Sequence, residues 1–239
     1  MRFTDYIFDL YGTLADVCTN ESPAVFWEGA ARDAETLGVH YTGESLRYRY
    51  LALCADEVRL RAADVPGVPI AFVEPELLNV FKRLLSECGA DDAHAATFAA
   101  AFRRRSTLWL KPMPHALETL DALRNSGART FLLSNAQSCF TIHELDALGL
   151  TVKFDGILLS SDAGTKKPYR GLYELLLSRY GIDRKSAVMV GNDAVADIGG
   201  ADTAGLKSYY YHTWQSGARP DALPPSCREI TGLSSLLQI

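Results

Sequence analysis

Asp9-Leu10-Tyr11-Gly12-Thr13 places a carboxylate directly after Tyr6-Ile7-Phe8, an apolar run that reads as a short buried strand closed by Gly12. An acid at the carboxyl end of a buried strand in an open α/β sheet stands where such sheets hold their ligands. The chemistry open to it is nucleophilic, since a carboxylate that attacks phosphorus or carbon forms a covalent ester. Three further signals fall at strand ends. Leu132-Leu133-Ser134-Asn135 offers a hydroxyl and backbone N–H groups to an anionic oxygen, or simply caps the next helix. Lys167, in Lys166-Lys167-Pro168, can keep a nucleophilic carboxylate ionised and offset the charge of a bound anion. Gly191-Asn192-Asp193, with Asp197 four residues on, brings an amide and two carboxylates to one strand end. With Asp9 these form a hard oxygen site suited to Mg²⁺, unless Asp193 caps the following helix instead.

These residues need a scaffold, and the chain supplies one in three parts. Residues 1–16 hold the first strand and the acidic loop. Residues 109–239 alternate helices (114–126, 140–148, 169–180, 195–204) with strands (129–133, 156–160, 187–190, 208–211), the pattern of a parallel sheet with crossover helices. The tail 217–226 reads as irregular, followed by a short last helix. Residues 17–108 show no strand pattern. Val25, Phe26, Ala30 and Leu37 recur at helical spacing, as do Leu46, Tyr50, Leu53 and Val58, then Leu77 to Leu85, then Ala96 to Leu108. Ser22-Pro23 reads as the first helix start and residues 62–69 as the longest loop. This stretch is expected to be a four-helix insertion that stands above the carboxyl edge of the sheet as a lid. Trp27, Tyr48 and Tyr50 are candidates for its cleft or its core.

The 239 residues, 48% hydrophobic and 22% charged, suit one core domain with an insertion. A net charge of -5 argues against nucleic acid as a partner, and Arg103-Arg104-Arg105 reads as one solvated helix face. Five scattered cysteines argue for free thiols. Met1 to Asp5 leads straight into the first strand, and no apolar stretch approaches the roughly 20 residues of a membrane span. A cytoplasmic protein with a small anionic substrate, and neither nucleic acid nor membrane as partner, is expected.

The four signals in this order resemble those of the haloacid dehalogenase (HAD) superfamily of hydrolases, over nearly the whole chain. The resemblance implies an α/β fold with a Rossmann-like parallel-sheet core and an inserted all-helical cap domain. It implies a catalytic set of Asp9 as nucleophile, Thr13, Ser134 on the transferring group, Lys167 orienting Asp9, and Asp197. Tyr11, Gly12 and Asn135 would line the substrate. Asp9, the Tyr11 carbonyl and Asp193 or Asn192 would hold Mg²⁺.

Two motifs pull apart. The phosphatases of the superfamily carry an acid two residues after the nucleophile, where this chain has Tyr11, and a phenol with an ordinary pKa of about 10 is a poor acid–base catalyst near neutrality. Asp-x-Tyr-Gly-Thr is the dehalogenase form, and Tyr173 six residues after Lys167 also resembles that pattern. Halide displacement needs no proton on the leaving group and no metal. The last motif resembles the phosphatase form, with Asn192 in place of its first Asp. Dehalogenases also use an early cap arginine for the substrate carboxylate, for which Arg32, Arg47 and Arg49 are candidates. The favoured expectation is a Mg²⁺-dependent phosphatase of a small phosphate monoester. The alternatives are a metal-free 2-haloacid dehalogenase and a degenerate protein that binds a phosphorylated ligand without turnover.

Overall fold

In a computed structural model, which describes residues 3–238, the strands β1 (Asp5–Phe8), β4 (Arg129–Ser134), β5 (Gly156–Leu159), β6 (Ala187–Gly191), β7 (Lys207–Tyr211) and β8 (Cys227–Ile230) form one sheet. Expectations resting on Met1, Arg2 and Ile239 fall outside these residues. The order is β5-β4-β1-β6-β7-β8 and every pairing is parallel. From β1 the chain builds outward through β4 and β5, then crosses back to β6 on the other side. The order therefore reverses at β1, which makes its carboxyl end the crevice where such sheets take ligands. The central strands are buried on both faces, β1 and β6 along their whole length, as parallel strands covered by helices must be.

The helices α5 (Ala116–Asn125), α6 (Ser138–Ala147) and α8 (Arg170–Tyr180) cross between strands, and Ser160–Ala163 adds a single turn, α7. One expected helix is not regular. The segment after β6 is a π turn, Ala194–Gly199, followed by the short α9 (Gly200–Thr203).

The inserted stretch folds as α1 (Ala24–Glu35), α2 (Gly43–Asp64), α3 (Leu77–Ser86) and α4 (Ala95–Ser106). Helix α2 starts at a Thr42–Ser45 capping box and runs to Asp64, so the expected loop begins only at Val65. Both margins of the insertion differ from expectation. Ala15–Thr19 (β2) pairs antiparallel with Thr107–Pro112 (β3), so Leu108 lies on a strand rather than on the fourth helix. The ribbon's faces are unequally covered, with Leu108 and Trp109 exposed, and such half-solvated strands lack a clean apolar alternation. The other missed strand, β8, is four residues with two exposed side chains at the sheet edge.

The four helices share an apolar core of Phe26, Trp27, Tyr50, Phe81, Phe98 and Phe102, closed from below by Phe140 of α6. Trp27 and Tyr50 belong to that core, whereas Tyr48 is exposed. The rings meet mostly edge to face, with Phe102 4.9 Å from Phe26 and 5.3 Å from Phe81, the arrangement aromatic quadrupoles favour. Polar contacts join this layer to the loops that follow β4 and β5. Lys166 N–H donates to Phe72 O, Arg61 Nη2 to Ser161 O, and Gln137 Nε2 to Glu74 and to Pro75 O. Among the described residues no helix is long and apolar enough to cross a membrane, and the five cysteines are free.

Phe102→Ala, which empties the centre of the ring cluster, is expected to cost about 3–5 kcal/mol. Urea denaturation checks this; a loss under 1 kcal/mol would show that the cluster is not the core of the helical layer.

Candidate active site

Four strand ends converge. Asp9 follows β1, its N–H bonded to Val190 O of the neighbouring β6. Leu10 O then accepts from the N–H groups of Thr13, Leu14 and Ala15, which closes the acidic loop into a tight turn. Gly12 is obligatory there: its φ is +85°, and a Cβ would sit 2.3 Å from the Asn192 amide. The same logic holds at Gly191, where a Cβ would lie 2.3 Å from the Asp197 carboxyl group. Glycine lets that carboxylate lie flat across the end of β6.

Lys167 is the hub. Its ammonium donates to Asp9 Oδ1 at 2.7 Å, Asp197 Oδ1 at 2.6 Å and Leu133 O at 2.8 Å, which uses all three of its hydrogens. Asn135 holds the Lys167 backbone from both sides, accepting from its N–H at 2.8 Å and donating to its O at 3.0 Å. The amide thus places Lys167, and Asn135 also lines the cleft. Ser134 Oγ donates to Asp9 Oδ1 at 3.2 Å. Thr13 Oγ1 lies 3.4 Å from Asp9 Oδ2 and 3.1 Å from Asn192 Oδ1, and serves one at a time.

Burial dominates the electrostatics. It pushes the Lys167 ammonium down, but Asp197 and Asp9 more than offset this and hold its pKa above the ordinary lysine value. Burial pushes the Asp197 carboxyl up to about 7; Lys167 pulls it back, while Asp9 adds to the rise. Asp197 is fully engaged, since its Oδ2 accepts from Asp193 N–H at 2.9 Å. Asp193 does cap the π turn, one carboxylate oxygen accepting from Val195 and Ala196 N–H at 2.8 Å, yet it also lines the cleft. Asn192 lines the cleft as well, its amide packed on Gly12.

The cleft has a volume of about 180 Å³ and is lined by Asp9, Ser134, Lys167, Asp193 and Asp197 among others. Lys167 is the one cation among the described residues that line it. The three candidate arginines are elsewhere. Arg32 and Arg47 are exposed on the helical layer, and Arg49 pairs with Glu87.

Sequence reasoning missed three members of this region. Gln215 lines the cleft from the loop after β7, with its Nε2 donating to Val17 O; its place just beyond another strand end was the available signal. Arg103, read as part of a solvated face, is largely buried and pairs with Glu144 of α6 at 2.6 Å. Arg105 pairs with Asp33 at 2.7 Å, so that basic run is split between partners. Glu144 in turn accepts from the Tyr11 hydroxyl at 2.5 Å. Burial and Glu144 both push the Tyr11 phenol up, further from the range in which an acid–base catalyst works near neutrality. Tyr173, as buried as any residue here, donates to Ala196 O and buttresses the π turn.

Residues 6–205 match the model of the haloacid dehalogenase-like hydrolases, and the chain belongs to that family. It is 28% identical over 215 residues to a phosphoserine phosphatase of Thermus thermophilus, covering 88% of this chain and 77% of that one. A shorter match, 35% over 99 residues, reaches 41% of the length of a ribulose-1,5-bisphosphate 5-phosphatase of Halopiger xanaduensis. Among solved structures, a 2-haloacid dehalogenase of Pseudomonas syringae pv. Tomato DC3000 superposes with a TM-score of 0.66 at 25% identity, over 99% of this chain and 97% of that one. The family is one of hydrolases, and the relatives of this chain within it include both phosphatases and dehalogenases.

Lys167→Met leaves two buried carboxylates facing each other and is expected to cost about 3–5 kcal/mol at pH 8. The sign with pH follows from Asp197. Its folded value of about 7 lies above the ordinary carboxyl range, so the stability tied to its proton is present at low pH and lost as the pH rises through about 7. Removing Lys167 raises that value further. The penalty should therefore shrink as the pH falls toward 5; urea midpoints in EDTA at both pH values check it, and a penalty equal at both would contradict the charge lock.

Proposed function

We propose that the chain hydrolyses a small phosphate monoester through a covalent ester on Asp9, with Mg²⁺ bound. The carrying observation is charge. The cleft presents Asp9, Asp193 and Asp197 against Lys167 alone, and every Lys167 hydrogen is already used. An anionic substrate entering such a site needs a cation the chain does not supply.

The donors suit Mg²⁺. Asp9 Oδ2 has only the long contact to Thr13, and Asp193 has one carboxylate oxygen outside its cap bonds. Among the described residues no group of three His, Cys, Asp or Glu is gathered into a closed metal cage. Mg²⁺ commonly takes one or two carboxylates and keeps waters and substrate oxygens for the rest of its shell. Asp9, Asp193 and the Tyr11 carbonyl, with Asn192 beside them, would hold it. When bound it would neutralise charge on the phosphoryl oxygens.

The chain's own residues do the rest. Lys167 and Ser134 hold Asp9 through Oδ1 and so fix the orientation of the carboxylate that attacks phosphorus. Attack forms the aspartyl phosphate and expels the alcohol oxygen with the bonding pair. Water then cleaves the ester, releasing inorganic phosphate and restoring Asp9. The Tyr11 hydroxyl, committed to Glu144, does not protonate the leaving oxygen, so solvent must. Residues 17–108 would act as the cap over the cleft, and the stitching of Phe72 and Glu74 to the Lys167 loop supports that placement.

A second reading is metal-free dehalogenation of a 2-haloacid. The intact Asp-Leu-Tyr-Gly-Thr loop favours it, since halide leaves without a proton. The absence of an arginine among the described residues lining the cleft weighs against it, because the haloacid carboxylate then has no partner.

The test is phosphate release from a panel of monoesters with and without Mg²⁺, beside halide release from 2-chloropropionate. Mg²⁺-dependent phosphate release is expected, falling roughly 10³-fold or more in Asp9→Asn. Without an acid on the leaving group, kcat/KM should fall steeply along a series of esters as the alcohol pKa rises. Halide release that survives EDTA would transfer the case to the dehalogenase reading.

A further inference from the structure

The Tyr11 hydroxyl, Glu144 and Arg103 form a buried chain that the hydrolysis itself does not use. Glu144, 7% exposed, is satisfied by three donors: the Tyr11 hydroxyl at 2.5 Å, Arg103 Nε at 2.6 Å and Arg103 Nη2 at 3.3 Å. Thr141 Oγ1 lies 2.9 Å from the same hydroxyl. The Arg103 guanidinium also stacks over two rings, 5.7 Å from the centre of Tyr11 and 5.4 Å from that of Phe140. A surface ion pair gains little, but a desolvated one with every polar atom paired holds its geometry tightly.

The three residues come from three places. Tyr11 sits midway between Asp9 and Thr13 in a loop closed by the bonds to Leu10 O. Glu144 lies on α6 in the sheet domain. Arg103 lies one turn before the end of α4, where the helical layer returns to the sheet through β3, and its own carbonyl is held by Ser106 and Thr107 hydroxyls. Movement of α4 away from α6 must pull Arg103 off Glu144, and Glu144 is what holds Tyr11. Because the loop is tight, a shift of Tyr11 carries the Asp9 carboxylate with it.

We propose that Glu144 and Arg103 are positioning residues for the reaction at Asp9, tying the nucleophile loop to the hinge of the helical layer through the Tyr11 hydroxyl. The phenol then does not transfer protons but serves as an anchor. The inference rests on Asp9 being the nucleophile and holds for attack on phosphorus or carbon.

The experiment measures kcat and KM of Tyr11→Phe, Arg103→Met, Glu144→Gln and the double variant Y11F/R103M, with p-nitrophenyl phosphate and Mg²⁺, and the urea midpoint of each. Displacing a reacting group by about 1 Å costs on the order of 10²-fold. Each single variant should lose roughly 10- to 100-fold in kcat with KM within about 3-fold. The double variant should be no slower than the slower single one, because both cut the same chain. Additive losses, an unchanged kcat in Y11F, or losses explained by the unfolded fraction would overturn it. Y11F keeps the ion pair intact and remains informative if Glu144→Gln fails to fold. A wild type that releases no nitrophenol counts against the phosphatase reading alone, and the same variants are then compared by halide release from 2-chloropropionate; silence there as well overturns both.

Discussion

The saturation of the Lys167 ammonium is the constraint on which the site depends. An ammonium has three hydrogens, and here they go to Asp9, Asp197 and the carbonyl of Leu133. Those acceptors belong to the ends of β1, β6 and β4, the three strands that lie side by side because the strand order reverses at β1. Lys167 arrives from the loop after β5, one strand further out, and the Asn135 side chain holds its backbone where it can reach back. Topology and charge thus support each other. The switch point brings two carboxylates within reach of one another, and only a buried cation lets them stay there.

Much of this was legible because strand ends and carboxylates leave strong local marks. Val188-Met189-Val190 is a continuous apolar run of the kind a doubly covered strand carries, and Gly191 at its end is required by the Asp197 carboxylate lying across it. Asp9, Ser134, Lys167 and Asp197 could be placed at one edge from such runs alone. What was not legible depends on partners distant in the chain. Nothing within Arg103-Arg104-Arg105 distinguishes the arginine that reaches Glu144, 41 residues on, from the exposed Arg104 beside it. Asp193 was ambiguous for a different reason: it does two things at once, capping the π turn with one oxygen and facing the cleft. The ribbon of β2 and β3 and the edge strand β8 were missed because strands with half their side chains in water carry little apolar signal.

Tyr11 changes the work open to this loop. An acid at that position must stay near the leaving oxygen and exchange its proton with water. A phenol that donates to a buried carboxylate can do neither. Ionising it would set a phenolate beside Glu144, and burial and that neighbour both push its pKa upward. The ring also lies against the Arg103 guanidinium, a contact that a short carboxylate side chain could not make. In the reaction proposed here the loop gives up proton transfer and gains a fixed attachment to α6 and α4. The chemistry that remains is of a kind that tolerates the loss: displacement at phosphorus or carbon in which the leaving group departs as a stable anion or takes its proton from solvent, and in which the placement of Asp9 against Lys167 governs the rate.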